Sequence, residues 1–66
     1  MRVTANGDEV ELAPGAGLLD LFDVLGVGAK WVVAEVNGEA VSRADMAARH
    51  LSEGDRVELV RAVAGG

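Results

Sequence analysis

Two Asn–Gly pairs constrain this chain more than any other feature. Asn6-Gly7 and Asn37-Gly38 each follow a run in which the residues take alternate sides. Both residue types tolerate positive φ, which a tight two-residue hairpin turn requires. Before the first pair, Met1, Val3 and Ala5 alternate with Arg2 and Thr4. After it, Val10 and Leu12 alternate with Glu9 and Glu11. Around the second pair, a strand is predicted from Trp31 to Asn37, with Val32, Ala34 and Val36 on one side. Trp31, Val33 and Glu35 lie on the other, and Ala40-Val41 supply only a short strand beyond the turn.

Between the hairpins, Pro14-Gly15 starts a turn and the period then changes. Leu18, Leu21, Phe22 and Leu25 recur at i, i+3, i+4 and i+7, the buried stripe of an amphipathic helix, and Asp20 and Asp23 face away. Gly26 and Gly28 end that helix. Gly17 stands where Ser, Thr or Asp would normally cap it, so the start is weakly signalled. Further on, Ser42 with Asp45 resembles a capping box and predicts a short helical segment to about Arg49. Glu53-Gly54-Asp55 is a turn, and Arg56 to Ala62 reads as the final strand, with Val57 and Leu59 inward.

One helix joining two hairpins is satisfied economically by a mixed sheet with the helix across one face and the last strand beside the first. A short Ala40-Val41 strand suits an edge. The expected fold is α+β: a β-grasp sheet of four to five strands on one helix, with a short helical segment before the last strand. Residues 1–62 form that domain and 63–66 a flexible C-terminal tail.

Composition narrows the function. A chain of 66 residues has room for one small core, and half of them are hydrophobic, enough to fill it. The absence of cysteine removes disulfides, thiolate metal sites and a cysteine nucleophile. A net charge of −5 argues against nucleic acid. No apolar run is long enough for a bilayer, and no leader pattern is present, so no membrane and a cytoplasmic location are expected.

Catalytic signals are few. "GAGLLD" at Gly15 and "GVGAKW" at Gly26 do not complete a phosphate-binding loop. His50, the single histidine, has no second ligand for a metal, and neither serine pairs with it as a nucleophile. No catalytic residue, metal or resident cofactor is expected. Trp31, Val33 and Val60 fall opposite the core-facing positions of their strands and form a candidate partner surface, with tryptophan as anchor. The alternative for Trp31 is that it closes the core at a strand end.

The remaining feature is the ending "VELVRAVAGG". Terminal glycine is commonly just a flexible end. It is also the least hindered acyl group a protein can offer, since Gly65 and Gly66 lack a β-carbon and pass easily through a narrow channel. The carboxylate itself is a poor electrophile until another enzyme activates it, for example by adenylation.

The whole chain, from "MRVTANGDEVEL" onward and most densely in "EVNGEAVSRADMAARHLSEGDRVELVRAVAGG", resembles the bacterial thiamine-biosynthesis sulfur carriers (ThiS-like), which are ubiquitin-like β-grasp proteins. It departs from them at Ser42, where proline is usual, and at Met46, where tryptophan is common. The resemblance implies that an E1-like adenylyltransferase (ThiF-like), using ATP and magnesium, adenylates the carboxylate of Gly66. A sulfur donor such as a cysteine desulfurase then feeds its conversion to a thiocarboxylate. A thiazole synthase (ThiG-like) takes the sulfur into the thiazole ring. Gly65 would give clearance, and Ala62, Val63 and Ala64 would be the spacer entering the partner's active site. A MoaD-like carrier for molybdopterin and a ubiquitin-like protein modifier use the same kind of tail and are the alternatives.

Overall fold

The computed structural model describes residues 1–61. The first hairpin joins β1 (Arg2–Ala5) and β2 (Asp8–Glu11), with Arg2 opposite Glu11 and Ala5 opposite Asp8. Asn6 turns at φ 51° and Gly7 at 87°, both left-handed, as an Asn–Gly hairpin turn demands. The second hairpin repeats the device. β3 (Val32–Val36) and β4 (Glu39–Val41) are joined through Asn37 at φ 52° and Gly38 at 86°.

Helix α1 spans Leu18–Leu25 and buries Leu18, Leu21 and Phe22 almost completely. Leu25 departs from the expected stripe: it is 38% exposed. The helix stops at once in the left-handed Gly26, φ 73°, so its last turn overhangs the core it was expected to cover. The predicted β3 also starts one residue late. Trp31 belongs to a 3₁₀ turn, Ala29–Trp31, closed by the Trp31 N–H donating to the Gly28 carbonyl at 3.0 Å. A second 3₁₀ segment, Arg43–Ala48, starts where the capping signal placed it. Ser42 Oγ accepts from the Asp45 N–H at 3.3 Å, and Met46 is buried beneath.

The final strand, β5 (Arg56–Arg61), enters the middle of the sheet, giving the order β2-β1-β5-β3-β4. It runs parallel to β1, with Thr4 opposite Arg56 and Ala5 opposite Val57, and antiparallel to β3 from Val57 to Arg61. This is the β-grasp arrangement, with the short β4 at one edge. Val3, Ala5, Val32, Ala34, Val36 and Val57 line the face toward α1, and Leu12, Met46 and Leu51 close the core. Such burial removes apolar area worth about 25 cal/mol per Å² from water. Among the described residues no helix is long and apolar enough to cross a membrane.

Candidate functional site

β5 is paired on both sides and braced by the two turn asparagines. β1 pairs with it over only two rungs, and beyond them the Asn6 side chain takes over as a surrogate strand residue. Asn6 Oδ1 accepts from the Leu59 N–H at 2.7 Å, and Nδ2 donates to the Leu59 carbonyl at 3.2 Å. Asn37 performs the matching task at the other end. Its Oδ1 accepts from the Arg56 N–H at 2.9 Å, and its Nδ2 donates to Asp55 at 2.9 Å. The two turn asparagines therefore brace the strand that the last five residues follow. Val57 anchors it at 1% exposure, and Arg61 ends it opposite Val32.

The expected tail residues Ala62, Val63, Ala64, Gly65 and Gly66 lie outside the described residues, as does the boundary drawn at residue 62. The expected surface residues are described. Val33 and Val60 face each other directly across β3 and β5, on the side away from α1, and are 51% and 64% exposed. Trp31 does not close the core: it is 55% exposed. Nor does it stand in the Val33–Val60 ladder. Its ring lies so close over Gly28 that a β-carbon there would sit 3.0 Å from Cδ1, and Lys30 Nζ stands 5.9 Å from the ring centroid. Trp31 also lines a cleft of about 360 Å³ with Gly26, Val27, Gly28, Val32 and Arg61, at the sheet end where β5 stops.

Two residues along β3 from Val33, on the same face, is a feature that residue patterns did not bring out: Glu35 stands directly opposite Glu58. Each reads in sequence as an ordinary outward strand position, and only the register of β3 against β5 makes them partners. Elsewhere on the same face, charge is complementary. Arg2 Nε meets Glu11 at 3.3 Å, and the Met1 ammonium reaches the same carboxylate at 2.9 Å. The hydrogen bond from that ammonium, then the one from Arg2, hold the Glu11 carboxyl below its ordinary pKa.

Among the described residues no cluster of His, Cys, Asp or Glu is arranged to hold a metal. His50 is exposed and its backbone bridges to Gly17. The described residues therefore offer a braced central strand and an exposed sheet face.

Comparison with known proteins accords with this geometry. The ThiS family profile matches residues 2–66. No match was found among curated protein sequences. Two solved structures are similar over the whole of this chain. One is the crystal structure of a thiamine biosynthesis protein (ThiS) from Geobacter metallireducens, with 32% identity, TM-score 0.83 and all of that chain covered. The other is a solution structure of a thiamine biosynthesis protein from the same organism, with 33% identity, TM-score 0.78 and 88% of that chain covered. With a family match across nearly its full length and the β-grasp topology those relatives share, this chain belongs to the ThiS family.

Proposed function

We propose that this chain is a sulfur carrier in thiamine biosynthesis and that the carboxylate of Gly66 is the group activated and loaded. The observation that carries the reading is the family match running through residue 66, across Ala62-Val63-Ala64-Gly65-Gly66. The sequence holds no cysteine, so no thiol on the carrier is available for sulfur to ride on.

The chemistry follows from the carboxylate. Ionised above a reference pKa of about 3.5, it resists nucleophiles. An E1-like adenylyltransferase using ATP and magnesium would let its oxygen attack the α-phosphorus, releasing pyrophosphate and leaving an acyl-adenylate. A sulfide-level nucleophile from the sulfur donor then attacks the acyl carbon, and AMP departs with the original oxygen. A thiazole synthase accepts the sulfur from the thiocarboxylate, and water restores the carboxylate. ATP and magnesium belong to the partner in this scheme, with no resident cofactor on the carrier. These partners work in the cytoplasm. Gly65 keeps the approach narrow, and Ala62, Val63 and Ala64 bridge it to β5.

Intact-mass spectrometry tests this. After incubation with the adenylyltransferase, ATP, magnesium and a sulfide source, the chain should show one oxygen replaced by sulfur. A chain lacking Gly66 should show no change, and sulfur loading of that deletion variant would overturn the assignment. Adducts on lysines of other proteins would point instead to a modifier.

A further inference from the structure

The chain offers two aliphatic amines, the N-terminal amine of Met1 and the side chain of its single lysine, Lys30. The topology sets them at opposite ends of the sheet. β5 runs parallel to β1 with Thr4 opposite Arg56; Met1 lies three residues behind that rung and Arg61 five ahead. That is about 26 Å of strand. The Met1 ammonium is also engaged, by Glu11 at 2.9 Å and by the Leu12 carbonyl at 2.9 Å.

Lys30 stands at the end where β5 stops. Val32 is the register partner of Arg61, and Lys30 precedes Val32 by two residues, in the 3₁₀ turn. A cross-strand step of about 5 Å and two peptide steps keep the α-carbons of Lys30 and Arg61 within about 13 Å of each other. The turn is held on both sides of Lys30. The Trp31 N–H donates to the Gly28 carbonyl at 3.0 Å, and Arg43 Nη2 donates to the Lys30 carbonyl at 2.9 Å. The side chain itself is exposed, with Nζ 5.9 Å from the Trp31 ring centroid, and among the described residues it makes no ion pair. The five residues after Arg61 span at most about 18 Å. That reach exceeds the distance to Lys30 and falls short of the distance to Met1.

We propose that Lys30 is an internal acceptor for the activated C-terminus, closing an isopeptide bond with Gly66 when the acyl-adenylate leaves the adenylating enzyme before sulfur reaches it. The inference rests on the carrier reading. The Lys30 amine nitrogen attacks the acyl carbon, the bond from that carbon to the AMP oxygen breaks, and the nitrogen's surplus protons pass to solvent. No oxidant or reductant enters. An end extended at full length into a partner is beyond the reach of Lys30, so closure follows release and competes there with water. A short tether gives the amine an effective concentration of millimolar order, which favours it over amines on other molecules. The closed chain has no terminal carboxylate left to load. Activation without sulfur therefore withdraws the carrier from use.

The test incubates the full chain with the adenylating enzyme, ATP and magnesium, omits the sulfide source, and reads the intact mass. A fraction of the chain should lose one water in an ATP-dependent way and remain monomeric, and protease digestion should place the link between Gly66 and Lys30. Lys30→Arg keeps the charge and removes the nucleophile. It should abolish the water loss and, when sulfide is supplied, load sulfur as the parent does, which shows that the variant is folded and activated. ATP-dependent water loss that persists in Lys30→Arg, or a link to Met1, overturns the inference. So does a parent chain that loads sulfur when sulfide is present and shows no water loss without it; only the internal acceptor then falls. If neither loading nor water loss occurs, the carrier reading and the acceptor fall together.

Discussion

Asn6 and Asn37 each make a turn and then reach from it to β5. The turn requires positive φ, which asparagine tolerates at small cost. The reach is a separate contribution: Asn6 satisfies both backbone groups of Leu59, and Asn37 satisfies the Arg56 N–H. Asn6→Gly keeps the turn and deletes the reach, so its loss isolates the hydrogen bonds. At about 0.5–1.5 kcal/mol each, and with water able to replace part of them at an exposed site, the variant should lose about 1–2 kcal/mol. Urea denaturation measures that loss, and hydrogen exchange at the Leu59 amide should accelerate. A variant as stable as the parent would mean that the side-chain bonds contribute nothing. Asn–Gly is legible in sequence as a turn from local φ requirements. The brace is not, because Leu59 is 53 residues away and only the insertion of β5 beside β1 brings it near.

At the scale of elements, α1 shows why a preference ranking misreads its own start. Serine, threonine or aspartate is favoured at the position Gly17 holds. The backbone there is extended, φ −106°, so no left-handed conformation asks for glycine. The reason is proximity. A β-carbon on Gly17 would lie 3.0 Å from the Arg49 carbonyl oxygen, which is itself fixed by the Leu18 N–H at 2.9 Å. Asp20 compensates from within the helix, its carboxylate accepting from the Gly17 N–H at 2.7 Å. Gly17→Ser should therefore destabilise the chain by about 1 kcal/mol, despite supplying the better cap. A raised thermal midpoint would show that the Arg49 segment yields freely. The helix, both hairpins and the Ser42 cap were legible because their signals are local periods and dipeptides. The exposure of Leu25, the 3₁₀ turn at Trp31 and the opposition of Glu35 and Glu58 were not, since each depends on where a second element lies.

For the whole molecule, the topology separates what holds the fold from what the proposed chemistry uses. The buried core among the described residues runs from Val3 to Val57, and of the last four residues of β5 Leu59 packs against it, partly buried. In the proposed function, a strand placed centrally and held by Val57 and the two asparagines is a firm base for the loaded chain end. Stability and sulfur loading should then respond to different substitutions. Val57→Ala removes a fully buried side chain and should cost about 2 kcal/mol. In a domain this small that lowers the thermal midpoint by roughly 10 °C. Below its midpoint the variant should still accept sulfur at the parent's extent. Deletion of Gly66 should do the reverse, leaving the midpoint unchanged while abolishing loading. Parallel melting curves and intact-mass measurements on both variants check the pair. If Val57→Ala lost loading while folded, or the deletion lowered the midpoint, the core and the loaded end would be coupled. The sheet would then have to be treated as part of the transfer chemistry and not only as its support.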